Sequence, residues 1–215
     1  ITTITTPVNP INFSRIEDPD LDQTRDLKGV NLIGNRDMKM DSNILLGNIS
    51  IMEGRMILSD DTDVCVISKA LADLNGFKTG DKISFNDPRD PQNSTVYDAA
   101  IVGIYQTEQK INPIMSGDTY RSENTVFTDL RFPEKVQGSS GSPLFKYAYF
   151  KVGDVDRYDA IRNSITDLPL NWERYDFIDN NGNLETMSEN FNDLQRAARF
   201  LTIVIAAGSF LLLFL

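Results

Sequence analysis

Hydrophobic positions recur along the chain in short blocks, and the clearest block is Val64–Phe85, VCVISKALADLNGFKTGDKISF. Val64-Cys65-Val66-Ile67 is an apolar, largely β-branched run that suits a buried strand. Ser68 stands where a helix N-cap belongs, because its hydroxyl can accept a free N–H of the first turn. Ala70, Leu71 and Leu74 follow at helical spacing. Gly76 sits where a left-handed residue ends a helix, with Phe77 as its hydrophobic contact. Thr79-Gly80-Asp81 reads as a turn, and Ile83 and Phe85 alternate with polar neighbours as in a half-buried strand. The unit is strand, short helix, turn, strand.

The remaining blocks are read the same way. Residues 1–28 are polar and punctuated by Pro7, Pro10 and Pro19. Strands are expected at Val30–Ile33 and Ile44–Met52, with a turn at Gly54-Arg55 and an acidic loop at Asp60–Asp63. Residues 86–94 are dense in turn formers. Strands follow at Thr95–Tyr105 and Asn124–Leu130, with polar loops at Gln106–Glu123 and Arg131–Pro143. Tyr147–Val152 resumes as a strand, and Asp154 or Asp156 can cap a helix bearing Val155, Tyr158, Ile161, Ile165 and Leu168. Pro169 stops that helix. Arg174–Ile178 reads as a strand and Asn180–Gly182 as a turn. Leu184, Met187, Phe191, Leu194, Ala198 and Leu201 form one helical stripe. From Phe200 to Leu215 there is no charge, and the run is read as the start of a transmembrane helix, since a full span takes about 20 apolar residues.

The expected fold class is α+β. A split, mixed α/β lobe (1–79 and 146–183) is built from strand–helix–strand units and interrupted by a small all-β subdomain (80–145). A stalk helix (184–199) then enters the membrane (200–215). The opening ITTITTPVNP lacks the basic end and apolar core of a signal peptide, and the absence of Met suggests a piece of a longer chain.

Composition narrows the function. The net charge of −10 argues against a nucleic-acid surface, which needs Lys and Arg to neutralise phosphate. It is compatible with a cationic partner, but most acidic proteins are merely soluble, and that is the plainer reading. The single cysteine, Cys65, forbids an intramolecular disulfide and reads as a small core residue. There is no histidine, so Ser-His-Asp and Cys-His sites and His-ligated metals are excluded. Gly138-Ser-Ser-Gly-Ser142-Pro143 resembles a nucleophilic serine's surround, but no histidine can supply its base; a lysine base is possible in principle, with Lys135 and Lys146 nearby in sequence, and a flexible loop is the plainer reading. Asp18-Pro-Asp20-Leu-Asp22 opens like a calcium loop, yet Gln23 and Gly29 stand where Gly and Glu are required. No P-loop is present, so no cofactor is assigned to this chain.

The segment VISKALADLNGFKTGDKISF resembles the signature segment of the extracytoplasmic domain of MacB/FtsX-type ABC transporter permeases, in which a strand leads into a short helix and a G-x-x-x-GD turn. Gly76, Gly80 and Asp81 match that turn, and Glu53-Gly54-Arg55 matches an upstream EGR. The resemblance implies a porter-like lobe on the extracytoplasmic side of the cell membrane and a non-catalytic permease domain. It implies a cytoplasmic ABC ATPase that binds the ATP, a second permease subunit as homo- or heterodimer partner, membrane lipid, and an extracellular adaptor or peptide. Movement of the spans would reach the domain through the stalk residues Leu184, Met187, Phe191 and Leu194. Arg196 and Arg199 lie on the flank this topology places outside, against the positive-inside tendency. The alternative is a surface binding or sensor module anchored by Phe200–Leu215 that transports nothing.

Overall fold

The computed structural model describes residues 1–3, 6–20, 24, 26–87, 89, 95–108, 117–137, 145–148, 150, 152, 157–175, 196 and 198–200. The chain divides into two compact units, Ile1–Lys151 and Val152–Leu215. The first unit carries β1 (Thr2–Thr3), β2 (Thr6–Pro10), β3 (Val30–Asn35), β4 (Ile49–Gly54), β5 (Val64–Ser68), β6 (Lys82–Asn86), β7 (Tyr97–Thr107), β8 (Thr125–Asp129) and β9 (Phe145–Tyr147). Its helices are α1 (Ser42–Leu45), α2 (Lys69–Asn75) and α3 (Phe132–Gln137), and 3₁₀ turns lie at Met38–Met40, Asp118–Tyr120 and Ser122–Asn124.

The nine strands form one sheet, and six of them close a ring. The order β2-β6-β7-β5-β8-β3 returns to β2 because β2 changes partner along its length. Thr6–Val8 pair with β3, and Asn9–Pro10 pair with β6. Alternate residues of the six strands face one way, as the strand period requires. Val8, Val30, Leu32, Cys65, Ile67, Ile83, Phe85, Ala99, Ile101 and Val126 make one buried cluster inside the ring. Leu71 and Ala72 of α2 and Phe132 and Val136 of α3 join it. A second cluster packs on the outside of the ring, where Met38, Ile49 and Ile57 cover Val66, Tyr105 and Phe127.

The ring has an approximate internal two-fold. The hairpin β2–β3 is repeated by β6–β7. Each hairpin's second strand takes a parallel neighbour from the other half, β8 beside β3 and β5 beside β7. The two third strands, β5 and β8, meet antiparallel, as do the two first strands. Each third strand is followed by a helix that closes the core, α2 or α3. The registers place Val8, Val30, Leu32 and Val126 in the positions of Ile83, Ala99, Ile101 and Cys65.

Several expectations change against this architecture. Strands β6, β7 and β8 share the sheet of β5 and β3, so residues 80–145 are not a separate all-β insertion. The first unit also runs unbroken to Lys151. Residues 44–52 are not one strand: Asp41 caps α1, its carboxylate accepting the Asn43 N–H at 2.9 Å, and β4 begins only at Ile49. The polar opening of the chain supplies β1 and β2, with Val8 fully buried. Phe132-Pro133 opens a helix inside an expected loop, since proline is tolerated in a first turn that has no N–H partner to lose. The strand expected at Tyr147–Val152 is instead β9, which ends at Tyr147.

In the second unit, α4 (Tyr158–Thr166) bears Tyr158, Ile161 and Ile165 half-buried on one face. Its N-cap is Arg157, without a side-chain bond, rather than Asp154 or Asp156. Arg174 and Tyr175, expected to open a strand, form none.

Candidate functional site

The structure joins the two signature segments that lie apart in sequence. Ser68 caps α2, its Oγ accepting the Leu71 N–H at 3.0 Å while donating to the Glu123 carbonyl at 2.6 Å. Gly76 ends the helix at φ 70°, and the Phe77 N–H reaches back to the Ala72 carbonyl at 2.9 Å. The chain then turns onto β7. Gly80, at φ 97°, donates to the Ile101 carbonyl at 2.8 Å, and the Asp81 carboxylate accepts the Lys78 N–H at 2.8 Å. Thr79 Oγ1 donates to Glu53 Oε1 at 2.7 Å, tying the turn to the first residue of Glu53-Gly54-Arg55.

That upstream segment crosses β7 in close contact. The Arg55 N–H donates to the Val102 carbonyl at 2.8 Å. A Cβ on Gly54 would lie 2.2 Å from the Val102 oxygen, and one on Gly103 would lie 2.3 Å from the Arg55 oxygen. Arg55 forks onto Asp61 with bonds of 2.6 and 2.8 Å, and this pairing holds the Asp61 carboxyl below the usual carboxylate range. Gly76, Gly80 and Asp81 are therefore brought together with Glu53, Gly54 and Arg55 around β7 as one junction.

A second polar constellation was not read from the sequence. Residues 11–18 run over the end of the ring and are held by side chains. Asn12 bonds the β6 backbone, its Nδ2 donating to the Lys82 carbonyl at 3.1 Å and its Oδ1 accepting the Ser84 N–H at 2.9 Å. Asn75 Oδ1 accepts the Ser14 N–H at 2.7 Å, and its Nδ2 donates to the Ser14 carbonyl at 2.8 Å. Asn124 does the same for Ile16 at 2.8 and 2.7 Å. Asp118 accepts the Asp18 N–H at 3.0 Å.

The charges of this constellation are paired. Arg15 meets Asp26 at 2.6 Å, with side chains only 9% and 2% exposed. Burial alone would raise the Asp26 carboxyl, but bonds from the Thr119 N–H and hydroxyl, Arg15 and the Lys28 N–H outweigh it and hold it below the usual range. Arg121 lies 3.1 Å from Asp18, 3.4 Å from Asp118 and 3.2 Å from Glu123. A cleft of about 430 Å³ opens between Arg15, Asp26, Lys28 and Asp118. Asp18 and Asp20 are engaged in this scaffold, where the Asp20 N–H donates to Asp18 Oδ1 at 3.0 Å. Among the described residues no three His, Cys, Asp or Glu side chains converge to hold a metal ion. Buried polar residues such as Asn124 and Asp118, far apart in sequence from residues 11–18, were the only available signal, and pairing cannot be read from type alone.

The stalk residues Leu184, Met187, Phe191 and Leu194, residues 201–215 of the apolar run and the serine loop 138–144 lie outside the described residues. Among the described residues no helix is long and apolar enough to cross a membrane.

No protein-family model and no curated protein matches the chain. Among solved structures it is similar to the periplasmic region of MacB from Actinobacillus actinomycetemcomitans, with 14% identity and a TM-score of 0.42, covering 86% of this chain and 75% of that one. It is also similar to a domain assigned to a permease protein from Porphyromonas gingivalis, with 14% identity and a TM-score of 0.32, covering 77% and 69% of the two chains.

Proposed function

We propose that this chain is the extracytoplasmic domain of an ABC transporter permease subunit of the MacB/FtsX type. The observation that carries the reading is the junction of Glu53-Gly54-Arg55 with Gly76, Gly80 and Asp81, closed by the Thr79–Glu53 bond. These are the residues that resemble the family, and they meet at one place on β7.

In this reading the chain performs no chemistry. A cytoplasmic ABC ATPase, separate or fused, binds and hydrolyses ATP. Two permease subunits pair, and movement of their spans passes along Leu184–Arg199 to the outer domain, where it drives export or an extracellular event. A sequence without histidine or a P-loop is consistent with such a mechanical part. The anchored binding module is the second reading, and the side-chain grip on residues 14–18 favours it.

One experiment separates the two. The parent protein is purified from its native membrane in mild detergent, and its companions are identified by mass spectrometry. A stoichiometric or fused ABC ATPase is expected. A single-span protein with no ATPase would overturn the permease reading in favour of the anchored module.

A further inference from the structure

Residues 14–18 belong to no strand, yet their backbone is gripped as a strand's would be, with side chains as the partner. Asn75, at the end of α2, closes a two-bond ring on the N–H and C=O of Ser14. Asn124 closes the same ring on Ile16. Asp118 accepts the next alternate N–H, that of Asp18. An asparagine amide carries donor and acceptor side by side, so it can pair with a peptide group whatever residue carries it. Asn124 and Asp118 are fully buried beneath the segment, and three such partners at period two make a receptor for extended backbone.

Two pockets add side-chain preference. The Phe13 ring stands edge-on to Phe77 and Phe85, with centroids 6.2 and 5.6 Å away. Two residues on, Arg15 reaches Asp26, which is itself fixed by the Thr119 N–H at 2.9 Å and lies outside the gripped stretch.

We propose that this is a peptide groove whose resident occupant is the chain's own segment 12–18. A segment of another protein exchanges for it when it carries a large apolar residue followed two positions later by Arg or Lys. The net charge of −10 favours a cationic partner over an acidic one. This inference stands apart from the permease reading, since an anchored module could own the same groove. The resident segment is tethered through β2 and β3, so a free peptide competes with an effective concentration on the order of millimolar.

The test uses the full chain in detergent micelles and a fluorescent peptide copying residues 10–20. F13A/R15A weakens the resident occupant while leaving Asn75, Asn124, Asp118 and Asp26 in place. That variant is expected to bind the peptide saturably, and the unaltered chain roughly tenfold more weakly or less, because its groove is filled. Adding N75A should abolish binding. No saturable binding by a variant that still unfolds cooperatively, or equal binding of a reordered peptide, would overturn the proposal. If F13A/R15A does not fold, hydrogen exchange of the unaltered chain decides. The Ser14, Ile16 and Asp18 amides are expected to exchange through a local, denaturant-insensitive opening while Leu32 and Ile67 stay protected. Exchange of all five only together would refute it, because the occupant could not leave a folded ring.

Discussion

Gly54 and Gly76 provide a matched pair that isolates the close crossing over β7. Both are left-handed, with φ of 71° and 70°. An alanine at either position incurs the same backbone penalty, about 1–2 kcal/mol. They differ in what a methyl group would meet. At Gly76 nothing lies within 4 Å of the added Cβ. At Gly54 it would lie 2.2 Å from the Val102 carbonyl oxygen and 2.8 Å from Thr79 Cγ2. The first of these is backbone in the middle of β7 and cannot rotate away, so β4 must lift. That movement strains the Arg55–Val102 and Thr79–Glu53 bonds. Overpacking of this kind costs about 1–3 kcal/mol. G76A should therefore lose about 1–2 kcal/mol, and G54A roughly 2–5 kcal/mol. Urea unfolding followed by circular dichroism measures both, with an unchanged slope showing that the same surface is exposed. Equal losses for the two variants, within about 0.5 kcal/mol, would refute the close crossing and with it the account of the junction.

Three further outcomes follow from buried groups. Y105F should cost about 1–2 kcal/mol in the same assay, because the buried hydroxyl sits 2.6 Å from the Ser122 carbonyl and 2.8 Å from that of Thr125 and ties β7 to the 3₁₀ turn before β8. Cys65 is fully buried, and burial pushes its thiol up, so maleimide should label it only at the rate of unfolding; rapid labelling of the native chain would contradict the closed ring. Asp26 has a depressed folded pKa, so its contribution to stability is present above its unfolded value near 3.9 and is lost as pH falls through the lower folded value. D26N should melt lower than the unaltered chain at pH 7 and show a flatter loss of melting temperature below about pH 4, whereas parallel acid limbs would remove Asp26 from the account.

The sequence alone determined what is local. α2 and its ends were legible because the bonds that shape them lie within a few residues, Ser68 to Leu71, Phe77 to Ala72 and Asp81 to Lys78, and β5 and β6 were legible from their apolar and alternating patterns. Gly76 read as a helix stop and Gly80-Asp81 as a turn on the same local grounds, and the resemblance to the permease segment singled out the three together. α1 and α3 were not legible, since four- and six-residue helices carry too little periodicity to outweigh loop-like composition. Tertiary structure decided what is long-range. Alternation says which face of a strand is buried but not which strand lies beside it, so residues 80–145 read as their own subdomain although β7 pairs with β4, β5 and β6. β2, which contains Pro7 and ends at Pro10, looks like a loop until β3 and β6 are both present to receive it. The grip on residues 14–18 is the extreme case. Its partners lie 61 to 108 positions away, and an asparagine in a sequence carries no mark of the backbone it will hold. Only closure of the ring, driven by burying one apolar face from all six strands, brings those partners beneath the segment.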